Sequence, residues 1–201
     1  MKPLALIRNK FASKGSCAGK FPFDLGDLKD YEEWRLKKLK NFSVSANDLL
    51  VKIQNFESPS QDEKNAIIDR CNIFNMAIYD ALPGAGKDLP LALARDVGLE
   101  LFDQPLHSGS DGLAEITVVK GGRQGSYIPY SNKPLSWHTD GYYNKPNEQV
   151  RGFLLHCRRD AAEGGVSEFI DPEIVYILLR DENPDLVRAL MQNDVLSIPA
   201  N

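Results

Sequence analysis

Five apolar side chains, Ile67, Cys71, Phe74, Ile78 and Leu82, recur at three- and four-residue steps. A helix turns once in 3.6 residues, so that spacing gathers them into one stripe, and a stripe of this kind must be buried against a partner layer. Pro59-Ser60-Gln61-Asp62-Glu63 is expected to start the helix, which should end near Pro83-Gly84. Asp27 to Lys40 is a second candidate helix, with acids early and lysines late as the helix dipole prefers, and its charges read as a solvated face. Asp88 to Leu99 is a third. Between the first two, Leu49 to Ile53 alternates like a short strand.

The pattern changes beyond residue 113. Leu113 to Val119 carries Ile116, Val118 and Val119, suited to a sheet. Val150 to Cys157 reads as a buried strand and Val166 to Ile170 as another. Pro172 to Arg180 is a helix opened by proline in its first turn. Pro184 to Gln192 is a last short helix, and Val195-Leu196-Ser197-Ile198 reads as a strand just begun. Helices first and strands later give an α+β class. At 201 residues, 42% hydrophobic and 26% charged, the chain suits one soluble globular domain over 1–201, helical over about 24–100 and β-rich over about 113–201.

Charge narrows the partners. A formal net charge of -4 lacks the basic face that neutralises phosphates, so small molecules are expected rather than nucleic acid. Cys17, Cys71 and Cys157 form no C-x-x-C pair and leave an odd count, which suits a reducing cytoplasm. Cys71 belongs to the apolar stripe and reads as core. No apolar run reaches membrane-spanning length. Residues 1–23 are basic and free of acids, a composition shared by targeting segments and by a mobile arm or early strand; the last two are the expected reading.

The chemistry concentrates in Trp137-His138-Thr139-Asp140. In an extended segment, residues two apart share a face, so His138 and Asp140 can offer an imidazole nitrogen and a carboxylate oxygen to one ion. With a second histidine, that set makes the facial triad of ferrous iron, which keeps positions open; zinc uses similar donors but its sites are usually closed by more nitrogen or sulfur. Taken alone, an H-x-D tripeptide is more often a surface hydrogen-bonding pair. Three neighbouring segments strengthen it: Leu154-Leu155-His156-Cys157, Gly164-Gly165-Val166-Ser167 and Asp171 at the head of a helix.

Together the W-H-T-D segment, the L-L-H-C strand, the G-G-x-[ST] turn and the following aspartate resemble the taurine dioxygenase family of iron(II)- and 2-oxoglutarate-dependent oxygenases, including its gamma-butyrobetaine hydroxylase-like branch. The resemblance covers roughly residues 113 to 190. It implies a double-stranded β-helix, a cupin-like jelly roll, preceded by helices. It implies Fe(II) as the metal, with His138 and Asp140 as catalytic iron ligands, and 2-oxoglutarate as co-substrate, a carboxylate of which meets the Ser167 hydroxyl. The implied reaction uses O2 to hydroxylate a small organic substrate and releases succinate and CO2. Without the resemblance, Ser167 reads as an ordinary turn hydroxyl.

Trp137, Tyr142 and Tyr143 flank the ligands and are candidates to line the substrate pocket, where aromatic faces would suit a quaternary ammonium group beside other small acids; packing at a barrel rim is the competing reading. Family members bring a distal histidine and an arginine on strands beyond the G-G-x-[ST] turn, and this chain reaches Asn201 with neither, so truncation is expected. His107 lies in a loop-like stretch, and His156 reads as a buried, hydrogen-bonded core residue rather than the third ligand. Arg158 and Arg159 read as a solvated strand end. Gly121 to Pro134 reads as a long loop over the site; its Gly121-Gly122-Arg123-Gln124-Gly125 lacks the Lys-Ser/Thr ending of a phosphate loop. The alternatives to an oxygenase, which is allowed to be a homo-oligomer, are an inactive remnant and a non-enzymatic jelly-roll interaction module.

Overall fold

The computed structural model describes residues 22–42, 45–55, 57–80, 86, 88–99, 113–145 and 150–197, together with the backbone of 4–9. The elements in chain order are β1 (Leu4–Asn9), α1 (Leu28–Asn41), α2 (Ala46–Leu49), β2 (Leu50–Lys52), α3 (Gln61–Phe74), β3 (Ala77–Asp80), α4 (Asp88–Asp96), β4 (Gly152–Leu155), α5 (Pro172–Glu182) and α6 (Pro184–Leu190). Two single 3-10 turns, Gln124–Ser126 and Ile128–Tyr130, lie between α4 and β4. The chain divides into two compact units, one formed by 1–98 with 151–201 and the other by 99–150. None of the helices among the described residues is long and apolar enough to cross a membrane.

The four strands among the described residues belong to the first unit. They form one mixed sheet in the order β2-β3-β1-β4, in which β1 pairs antiparallel with β3 and β4 while β2 runs parallel to β3. The basic N-terminal stretch thus supplies a central strand, the early-strand reading made flesh at Leu4–Asn9. Helix α3 lies against β1 and β3, burying Ile67 and Cys71, and β3 itself is buried along Ala77, Ile78 and Tyr79. Leu93 and Val97 in and after α4, with Ile177 of α5, complete the enclosed part of the core.

Helix α3 begins where its sequence says it should. The Ser60 hydroxyl accepts from the Glu63 amide at 3.3 Å, and the Glu63 carboxylate accepts from the Ser60 amide at 2.7 Å, the reciprocal pair of a capping box. Its end corrects the periodicity reading. The helix stops at Phe74 because Asn75 turns left-handed at φ 58°, and Ile78 is a strand residue. A strand buried on both faces is apolar at successive positions, so a stripe at step four runs on across the boundary without a helix beneath it. Leu82 lies outside the described residues.

The other boundaries differ in instructive ways. Helix α1 starts one residue after its cap Asp27, whose carboxylate accepts from the Asp30 amide at 3.0 Å. Its charged face is solvated except for Lys38, which is buried. Helices α4 and α6 fall within the expected spans, α5 runs past Arg180 to Glu182, and β4 is half-buried rather than fully buried. Neither 113–119 nor 166–170 forms a strand, and Val195 and Leu196 lie in a bend with Ser197 irregular; Ile198 lies outside the described residues. Ile116, Val118, Val166 and Ile170 are exposed. A strand needs a hydrogen-bonded neighbour, and among the described residues these segments have none in a ladder. The result is an α+β fold with few strands, in which a jelly roll is not seen among the described residues.

Candidate metal site

The second unit carries His138 and Asp140 on irregular chain leading into a turn. Asp140 opens that turn and Gly141 continues it at φ 66°, with the Asn144 amide donating to the Gly141 carbonyl at 2.9 Å. A Cβ at Gly141 would come within 2.5 Å of Val150 Cγ2, so both backbone conformation and space require glycine directly after the carboxylate.

His138 Nδ1 donates to the Ser136 carbonyl at 2.8 Å, since a carbonyl can only accept. That bond commits the Nδ1 hydrogen and orients the ring, as a metal-binding imidazole requires of its second nitrogen. His138 Nε2 then stands 3.4 Å from Asp140 Oδ1. An imidazole nitrogen and a carboxylate oxygen at this separation are donors that one cation could share. An ion about 2.1 Å from each atom, the usual reach of a first-row divalent metal, would see the 3.4 Å pair at roughly a tetrahedral angle, wider than a right-angled octahedral edge by a few tenths of an ångström. The donor set therefore fits a divalent metal. The side chains are 36% and 49% exposed, so the pair is open to solvent and to a ligand.

Among the described residues, no group of three or more His, Cys, Asp or Glu gathers as a complete cage. Trp137, Tyr142 and Tyr143 are exposed beside the pair, and the two tyrosine rings meet edge to face at 5.2 Å. Upstream of the pair, Gly121 to Pro134 is irregular apart from its two 3-10 turns, as a loop should be. It is tied back where the Val119 amide donates to the carbonyl of buried Tyr130 at 2.9 Å. His107 lies outside the described residues.

The remaining sequence candidates sit in the first unit. His156 follows β4 and shares a 2.9 Å hydrogen bond between Nδ1 and the Tyr79 hydroxyl, with the rings stacked at 6.0 Å. Burial, then the Arg158 guanidinium, holds its imidazole below the ordinary value, and burial pushes the Tyr79 phenol up. Both rings stay neutral near neutrality, as core partners do. Arg158 and Arg159 are exposed. Ser167 is exposed on the irregular segment between Gly164-Gly165, both left-handed at φ 70° and 71°, and Asp171.

Asp171 is more than the helix cap its sequence suggests. Its Oδ1 accepts from the Glu173 amide at 2.9 Å and from Asn75 Nδ2 at 2.8 Å. Its Oδ2 lies 2.6 Å from Lys38 Nζ as an ion pair, with no other donor reaching it among the described residues. The ammonium also lies 2.7 Å from Glu173 Oε2 and donates to the Ile73 carbonyl at 2.8 Å. Sequence reading placed Lys38 among solvated charges. The available signal was its spacing, since Lys38 stands seven residues after buried Tyr31 and therefore on the same helical face.

No curated protein and no solved structure matches this chain. The profile of one family, described as taurine catabolism dioxygenase TauD, TfdA family, matches residues 87–201, more than half of the chain and a span that contains His138, Asp140 and Ser167. That match, over more than half of the chain, makes this chain a member of the TauD/TfdA dioxygenase family.

Proposed function

We propose that this protein is an Fe(II)- and 2-oxoglutarate-dependent dioxygenase that hydroxylates a small organic substrate with release of succinate and CO2. His138 and Asp140 are two of its iron ligands, Ser167 contacts a carboxylate of 2-oxoglutarate, and Trp137, Tyr142 and Tyr143 flank the substrate. The reading includes one oxygenase domain over 1–201 built on the family's double-stranded β-helix. The observation that supports it most is the convergence of His138 Nε2 and Asp140 Oδ1 at 3.4 Å with the other ring nitrogen committed to Ser136.

Bound iron would supply the oxidising power, coupling decarboxylation of 2-oxoglutarate to insertion of one oxygen atom into a C-H bond. The chain's own residues have simpler tasks. The Ser136 carbonyl holds the His138 ring so that Nε2 faces outward as a lone pair. Asp140 supplies negative charge beside it, and the Gly141 turn keeps that carboxylate in place. Ser167 offers a hydroxyl donor to an anionic co-substrate.

The test is an anaerobic titration of the chain with ferrous iron and 2-oxoglutarate, following the visible charge-transfer band of the chelated complex. A saturable band that disappears in Asp140→Ala is expected. Iron and 2-oxoglutarate bound as tightly by Asp140→Ala as by wild type would refute the ligand assignment. A second reading, an inactive remnant, draws on the absence of a third ligand grouped with the pair among the described residues; it predicts no band from a chain that keeps its fold.

A further inference from the structure

We propose that Lys38 is a positioning residue for Ser167, acting through Asp171; the inference rests on Ser167 being the 2-oxoglutarate contact. Lys38, Asp171 and Ser167 belong to the same compact unit. The Lys38 and Asp171 side chains are 7% and 3% exposed, and their 2.6 Å ion pair joins α1 to the residue that opens α5. Asn75, at the left-handed end of α3, holds the other carboxylate oxygen. One aspartate thus receives support from three helices, and Lys38 alone among the described residues serves its Oδ2.

Ser167 stands four residues before this anchor. Four residues of chain reach at most about 14 Å, so Ser167 stays within that distance of Asp171. Between them, among the described residues, Phe169 adds a hold, its ring 6.4 Å from that of Phe153 on β4. The segment forms no ladder of its own, so its order comes from its ends: the left-handed Gly164-Gly165 turn on one side and the Lys38-Asp171 pair on the other. Removing the ammonium leaves Asp171 Oδ2 and Glu173 as neighbouring carboxylates in a poorly solvated place, and their relief is to move outward. The slack passes to Ser167. Supporting groups behind a ligand contact typically matter by tenfold or more in affinity.

The experiment measures the 2-oxoglutarate dissociation constant from the charge-transfer band of the ferrous chain in wild type, Lys38→Met, Ser167→Ala and the double variant. Ferrous affinity without 2-oxoglutarate is measured alongside. Lys38→Met is expected to weaken 2-oxoglutarate roughly tenfold with iron affinity unchanged. The double variant is expected to be no weaker than Ser167→Ala, the non-additivity of two residues acting through one contact. Ile67→Ala, which destabilises the core away from this anchor, is expected to leave the dissociation constant alone. Should Lys38→Met fail to fold, Asn75→Gly replaces it, because glycine keeps the left-handed turn and removes only the amide that holds Asp171; a smaller shift in the same direction is expected. If Ser167→Ala binds 2-oxoglutarate as wild type does, or the wild-type chain gives no band, the Ser167 reading fails and the inference with it. If Ser167→Ala is weakened while Lys38→Met is not, or the two losses add, the inference alone is overturned.

Discussion

Replacing Lys38 with methionine tests what the buried ion pair contributes to stability. Methionine keeps most of the stem volume, so the loss is chiefly that of the ammonium and little of it comes from a cavity. Breaking a buried pair by deleting one partner costs about 3–5 kcal/mol, because a charge is left without compensation. Two features of this site place the loss near the lower figure. Asp171 Oδ1 keeps both the Glu173 amide and Asn75, and Glu173 is 24% exposed and can turn toward water. Adding Asp171→Asn removes the stranded charge while keeping a residue that caps a helix well. The double variant should therefore recover about 2 kcal/mol of the loss, within the range of coupling energies for contacting groups. Urea unfolding of the four proteins measures this, with slopes required to agree, and a loss of ~3 kcal/mol shifts the midpoint by about 1–2 M. A Lys38→Met loss below about 1 kcal/mol, or additive losses in the cycle, would mean that the ammonium is hydrated in solution and the buried-pair argument is wrong.

Further expectations follow from the same geometry. Gly141→Ala forces a left-handed alanine at about 1–2 kcal/mol and drives a methyl group against Val150, so ferrous affinity should fall with little change in the Asp171 region; unchanged iron binding would show that the turn does not hold Asp140. Ile67→Ala, at a position with no exposed surface, should cost about 2–5 kcal/mol in urea unfolding, and a cost below 1 kcal/mol would place α3 elsewhere. His156 is held below the ordinary 6.5, so the unfolded chain takes up its proton at the higher pH. Its stabilising share is complete above 6.5 and is lost as pH falls through the lower folded value. An NMR titration that places the His156 ring at or above 6.5 contradicts the Tyr79 pairing as a neutral core contact.

Local signals were legible wherever a few neighbouring residues settle the outcome. The Ser60 to Glu63 capping box, the cap at Asp27 and the proline-opened α5 are decided by contacts within one turn of chain, and each was recoverable from residue order. The pairing of His138 with Asp140 belongs with them, since residues two apart on one short segment meet without help from the rest of the fold. The reading of His156 as a hydrogen-bonded residue was met by the Tyr79 hydroxyl, although the ring is half-buried rather than fully buried, because the apolar run precedes it while exposed arginines follow.

What the chain order left open depends on partners far away along it. Ile78 continues the α3 stripe by spacing, and only pairing with β1 and β2 makes it a strand residue. Residues 113–119 and 166–170 have strand composition, yet composition supplies no ladder partner. Lys38 looked like one more solvated lysine until Asp171, Asn75 and Ile73 were brought around it across separations of 133, 37 and 35 residues, the first two counted from the residue numbers. Periodicity and capping are properties of one segment, so residue order alone decides them. Burying a charge or completing a sheet requires a second segment at a set distance and angle, and only the tertiary structure says which segment arrives.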